Sequence, residues 1–128
     1  MKFLLDTHTF LWLIQGDVKL SQKAREMIET PENELYFSIA SFWEITIKLG
    51  LGKLEIAHSL KEMELLLQQL EIGLLPIAVS DLECYLTLPL HHRDPFDRLL
   101  IAQAMHHSLV LIGQDVQFDS YSIQRLWT

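Results

Sequence analysis

The stretch His92-Arg93-Asp94-Pro95-Phe96-Asp97-Arg98-Leu99-Leu100-Ile101-Ala102-Gln103-Ala104 decides how the rest of the chain is read. Asp94 before Pro95 marks a helix start. An aspartate side chain accepts the free N–H groups of a first turn, and proline suits the first helical position. The helix is expected to run from about Pro95 to His107, with Asp97 at its third position. Leu100, Ile101 and Ala104 follow at helical spacing, so Asp97 shares a face with apolar side chains. A carboxylate there costs free energy unless something pairs with it. By itself Asp97 could simply complement the helix dipole. The test is whether other acids arrive at the same place.

Outward from this helix, strands and helices alternate. Lys2–Asp6 reads as a short buried strand, with Thr7 as the cap of a helix to about Gln15 and Gly16 as its stop. Ser21–Thr30 is expected as a helix, Glu34–Ser38 as a strand and Ala40–Leu49 as a helix ended by Gly50 and Gly52. Leu60, Met63, Leu66, Leu67 and Leu70 give Ser59–Glu71 an apolar helical stripe. Leu74–Val79 is a strand candidate, and Ser80 with Glu83 suggests a capping box opening a helix that stops by Pro89. Leu109–Ile112 is a further strand, and Ser122–Trp127 a possible edge strand. This alternation predicts an α/β fold with a parallel sheet covered on both faces.

At 128 residues, the chain suits one domain, 1–128, with a sizeable core. It is 49% hydrophobic and 21% charged, a globular composition. No apolar run approaches the roughly 20 residues that span a bilayer, and Asp6 falls too early for a secretory signal peptide, so no membrane association and a cytoplasmic location are expected. Cys84 is the only cysteine, which excludes an internal disulfide and a thiolate zinc site. A net charge of −7 disfavours broad attraction to nucleic acid, so any such contact needs a local basic patch or bound cations.

Ligands of open α/β sheets sit at the carboxyl ends of the strands. Asp6 ends the first strand, Asp115 lies just beyond Ile112, and Asp97 opens the helix leading into that strand. Glu44 sits in the helix after the second strand, where it could equally cap with Ser41 or pair with Lys48. Asp119 rivals Asp115, and Asp94 is best explained as a cap. Clustered carboxylates repel one another, and a hard divalent cation removes the repulsion. Mg²⁺ or Mn²⁺ prefers oxygen ligands and keeps waters for substrate phosphates. His91 and His92 lie in a loop, where adjacent histidines tend to point apart, while His106 and His107 suit a helix C-terminus. Trp12, Trp43 and Trp127 read as core or interface residues rather than base-stacking platforms.

Four segments, taken in order, carry a family resemblance: Leu4-Leu5-Asp6-Thr7-His8, Ser41-Phe42-Trp43-Glu44-Ile45, Asp94-Pro95-Phe96-Asp97-Arg98-Leu99-Leu100-Ile101-Ala102, and the late Asp115. Together they resemble PIN-domain nucleases, and most nearly the VapC-type toxins of toxin–antitoxin pairs. The resemblance implies a PIN-like three-layer fold with a central, mostly parallel sheet flanked by helices. It implies an Mg²⁺- or Mn²⁺-dependent endoribonuclease with Asp6, Glu44, Asp97 and Asp115 as metal-binding and catalytic acids. Thr7 matches the hydroxyl beside the first acid, where it would orient Asp6 or a metal water and meet substrate, and Arg98, about 100° round the helix from Asp97, is expected to contact RNA phosphates. The implied partners are RNA, a cognate antitoxin and a second copy of the chain. Two positions depart from the commonest pattern. Gly113 stands where a small hydroxyl residue is usual, and Asp115 where many relatives carry Asn. The alternatives are a metal-binding module without turnover and a PIN nuclease outside any toxin–antitoxin pair. A haloacid-dehalogenase-type phosphatase would need an Asp where His8 stands, and a phospho-receiver domain would need an acidic pair at the first strand.

Overall fold

A strand buried on both faces reads as an unbroken apolar run, and Phe3-Leu4-Leu5 is such a run. In the computed structural model, which describes residues 1–128, β1 (Lys2–Leu5) is the middle strand of five. It is flanked by β2 (Glu34–Ser38) and β4 (Val110–Ile112); β3 (Ile72–Leu75) and β5 (Arg125–Leu126) lie at the two edges. All four pairings are parallel, giving the order β3-β2-β1-β4-β5. Side chains alternate across the sheet. Phe3, Leu5, Leu35, Phe37 and Ile112 face α1 (Thr7–Gln15), α2 (Gln22–Glu29), α3 (Ile39–Gly50) and α4 (Leu60–Gln69). Leu4 and Leu111 face the other way, onto α5 (Val79–Leu86) and α6 (Pro95–His106), with Phe118 of a 3₁₀ turn over Val116–Ser120. The result is three layers with a core on each side of the sheet.

Several boundaries differ from the sequence reading. The residue capping α1 is Asp6, whose side chain accepts the Thr9 N–H, and Thr7 is the first helical residue. The third strand covers Ile72–Leu75, not Leu74–Val79, because Pro76 has no N–H to continue the ladder and the positive φ of Glu71 turns the chain into the strand earlier. Asp81, not Glu83, supplies the carboxylate of the α5 start, accepting the Ala78 N–H at 2.9 Å. Of the apolar stripe on α4, Met63 and Leu67 are buried in the core, while Leu60 and Leu70 at its ends stay exposed.

One consequence of the strand order positions the site. From β1 the chain moves outward to β2 and β3, then returns across the sheet to β4 and β5. Neighbouring strands β1 and β4 therefore feed connections that leave in opposite directions. The crevice beyond their carboxyl ends is the place where α/β sheets hold ligands. Asp6 and Gly113 are the first residues past those two ends.

Candidate metal centre

The backbone of Asp6 extends the β1–β4 ladder, its N–H donating to the Ile112 carbonyl at 3.0 Å. Its side chain divides its work. Oδ1 caps α1 by accepting the Thr9 N–H at 2.8 Å, and Oδ2 faces the backbone of Gly113. A Cβ at position 113 would lie 2.5 Å from that oxygen, so only glycine leaves the carboxylate room here. The departure from a small hydroxyl residue at this position thus has a steric reason. Burial, reinforced by Glu44, raises the Asp6 pKa above its ordinary value, against the lowering effect of its Thr9 hydrogen bonds.

Glu44 projects from the buried side of α3, one turn before Lys48. Its Oε2 meets Lys48 Nζ at 2.8 Å, while Oε1 accepts the Thr7 hydroxyl at 2.8 Å. The Ser41 hydroxyl stands 2.9 Å from Thr7 Oγ1 and supports it. Ser38, rather than Ser41, caps α3, so the capping alternative for Glu44 falls and the Lys48 pairing holds. Thr7 is buried and turned toward Glu44. The acid expected beside that hydroxyl is Asp6; in the fold it is Glu44 that the hydroxyl reaches.

Asp94 caps α6, its Oδ1 accepting the N–H groups of Phe96 and Asp97. That first turn brings Asp97 to the same rim, where burial, followed by the carboxylates of Asp94, Glu44, Asp6 and Asp115, pushes its pKa up to about 8. Asp115, the cap of the 3₁₀ turn, accepts the Gln117 N–H through Oδ1. Its other oxygen points toward His92, whose Nε2 lies 3.5 Å from Asp115 Oδ2 and 3.1 Å from Asp97 Oδ2. Asp119 is held away from the rim by Arg125, whose Nε and Nη2 each reach it at 2.9 Å. With Asp119 in that bidentate pair, it is Asp115 that faces His92.

Arg98 does not reach outward. It is 8% exposed; Nη1 donates to the carbonyls of Pro89 and His92 and to Tyr121 Oη, and the guanidinium stacks over Tyr85. The expectation that it contacts RNA phosphates is corrected: its Nη1 and Nη2 groups close the loop before α6, Nη2 donating to the Leu88 carbonyl at 3.4 Å. The sequence reading missed His92 and Gly113 as neighbours of the acids. The pattern His-x-Asp-Pro-x-Asp was the available signal for His92, and the glycine directly after a buried strand that for Gly113.

The donor set fits a hard divalent cation. It consists of carboxylate oxygens, and burial together with neighbouring carboxylates holds two of the acids above their ordinary pKa. Solved structures with the same fold include VapBC2 from Rickettsia felis bound to a DNA fragment from their promoter, with a TM-score of 0.76 and 14% identity over 100% of both chains. VapBC-1 from nontypeable Haemophilus influenzae matches with a TM-score of 0.68 and 21% identity, over 98% of this chain and 97% of that one. FitAcB from Neisseria gonorrhoeae matches with a TM-score of 0.64 and 18% identity, over 98% and 96%. No curated protein matches significantly. The sequence profile of the PIN domain matches residues 3–123. With this match over nearly its whole length, and with its acids gathered where β1 and β4 part, the chain belongs to the PIN domain family.

Proposed function

We propose that this PIN domain is an endoribonuclease that hydrolyses RNA phosphodiester bonds with Mg²⁺ or Mn²⁺ held by Asp6, Glu44, Asp97 and Asp115. The observation that carries the reading is the placing of these acids on one rim, where burial first and the neighbouring carboxylates second push the Asp97 pKa up to about 8. Acids desolvated and crowded in this way are poised for a cation. Such a cation makes a bound water more acidic and neutralises charge on a phosphate. The protein's part is to hold the carboxylates ready. Thr9 fixes Asp6, and Thr7 and Lys48 fix Glu44, so little reorganisation remains when substrate arrives. Asp97, which binds its proton firmly without a cation, releases it on metal binding.

The test is cleavage of a single-stranded RNA by purified protein. Loss of cleavage in EDTA and recovery with Mg²⁺ or Mn²⁺ is the expected result. Stoichiometric metal binding without cleavage would instead favour the metal-binding module.

We also read the chain as the toxin of a toxin–antitoxin pair acting in the cytoplasm. The structures of similar fold are themselves toxin–antitoxin assemblies. On this chain, Ile39, Trp43 and Ile47 of α3 and Leu51 just beyond it recur every four residues and are exposed, with Trp43 at 56% packed edge-on against Phe96. This apolar strip runs past Glu44, so a partner segment seated on it could bring an Arg or Lys to the acids. Co-purification with the product of a neighbouring small open reading frame, lost in Trp43→Asp, tests the pairing. A homodimer is proposed through α5, where Val79, Leu82 and Leu86 are exposed on one side. Light scattering should give a dimer for the wild type and a monomer for Leu82→Asp.

A further inference from the structure

His92 is 8% exposed and is fixed from several sides. Its N–H donates to Tyr121 Oη at 2.8 Å, its carbonyl accepts from Arg98 Nη1 at 3.3 Å, and its ring lies against Phe118. The ring nitrogens have distinct duties. Nδ1 accepts the Asp94 N–H at 3.2 Å. A nitrogen that accepts carries no hydrogen, so the hydrogen of the neutral ring resides on Nε2. Nε2 is sealed from solvent and lies 3.1 Å from Asp97 Oδ2 and 3.5 Å from Asp115 Oδ2, out of line for a full hydrogen bond to either. His92, Asp97 and Asp115 are spaced like three ligands of one ion. The tautomer argues against that: an Nε2 bearing hydrogen has no lone pair to give a metal.

The contact at Nδ1 has a second effect. The N–H of a helix cap is the usual target of an acid at the third helical position, the reciprocal half of a capping box. In α5 Asp81 takes that N–H. In α6 the equivalent N–H, from Asp94, goes to His92 Nδ1, and the third-position acid Asp97 is released.

We propose that His92 is a positioning residue of the metal centre: its Nδ1 relieves Asp97 of capping, and its Nε2–H faces Asp97 and Asp115 and aims both carboxylates without itself binding the ion. This rests on the metal-dependent reading above. Partners one shell out from a metal, acting through its ligands, typically govern metal affinity about 10- to 100-fold.

The experiment compares Mn²⁺ binding by calorimetry for wild type, His92→Phe and His92→Gln, with metal-free melting curves to establish folding. His92→Phe keeps the ring and its packing but has neither nitrogen, and should bind Mn²⁺ about 10- to 100-fold more weakly. His92→Gln restores a donor near the Nε2 position and should recover part of that loss. A His92→Phe protein that binds Mn²⁺ as tightly as wild type overturns the proposal. Wild-type protein alone supplies the second readout. Two-bond ¹H–¹⁵N correlation spectra of the ring should show hydrogen on Nε2 both without metal and with Mg²⁺. Hydrogen on Nδ1 in the loaded protein means direct ligation and overturns it too. Wild type that takes up no Mn²⁺ overturns the metal reading itself, whereas wild-type binding unchanged in His92→Phe overturns only the role of His92.

Discussion

Asp81 and Asp97 occupy the same local position, the third residue of a helix, and their fates are opposite. Asp81 opens α5 and is completely buried, yet it is surrounded by donors: the Ala78 N–H at 2.9 Å, Gln103 Nε2 at 3.2 Å and His107 Nε2 at 3.1 Å. Asp97 opens α6 with 22% of its side chain exposed, and its surroundings are four other carboxylates and His92. The more buried acid is the structural one. His106 stands close enough to Asp81 and His107 to suggest a metal site, but Asp81 is already satisfied, capping α5 through the Ala78 N–H and tying it to the end of α6 through Gln103 and His107. Burial alone therefore does not mark a functional carboxylate. A shortage of donors does, because an unsatisfied acid keeps its affinity for an external cation.

The most severe way to break this comparison is to remove each charge in turn. Asp97→Asn should lower RNA cleavage by orders of magnitude while leaving the metal-free melting temperature near neutral pH unchanged or slightly raised, since asparagine need not hold a proton that the unfolded chain releases. Cleavage at the wild-type rate with a lowered melting temperature would return Asp97 to the role of a helix-dipole acid. Asp81→Ala should behave in reverse. It strands Gln103 and His107 and should cost about 2–3 kcal/mol in urea denaturation. Activity per folded molecule should persist.

Gly113→Ala sharpens the comparison more gently by crowding an acid without changing its charge. The added methyl meets Asp6 Oδ2 at 2.5 Å, and a displacement costing about 1–2 kcal/mol is expected. Mn²⁺ affinity should fall along with stability, and calorimetry that shows unaltered binding would mean the Asp6 oxygen facing Gly113 is not needed.

The smallest effect is a slope. Asp97 holds its proton more tightly when folded, at about 8, than at its ordinary value of 3.8. The stability contributed by that proton is complete below pH about 4 and declines as pH rises, being lost once pH passes about 8. Metal-free protein should therefore lose stability over this window, with Asp6 acting in the same direction. Asp97→Asn should flatten the slope, and saturating Mg²⁺ should do so by stabilising the ionised acids. A metal-free stability that rises across the same window would contradict the crowding of these carboxylates.

Much of this molecule is local and was open to sequence reading. The run Phe3-Leu4-Leu5 ending in Asp6 specifies a buried strand and an acid at its end, and Asp94-Pro95 specifies where α6 starts. Asp97 stands on an otherwise apolar helix face, which periodicity reveals without any structure. The PIN resemblance rested on those same segments. What sequence could not supply is the long-range partner of each polar group. Thr7 finds Glu44 37 residues away, Arg98 turns back to Tyr121 and the loop carbonyls, and the Asp94 N–H selects His92 over Asp97. These choices depend on the strand order, which sets β1 beside β4 and so lays Gly113 against Asp6. Propensity and spacing act over a few residues, so they determined the elements and the acids. Which hydrogen bonds those acids keep, and which they leave for a cation, was decided only when the tertiary fold closed around them.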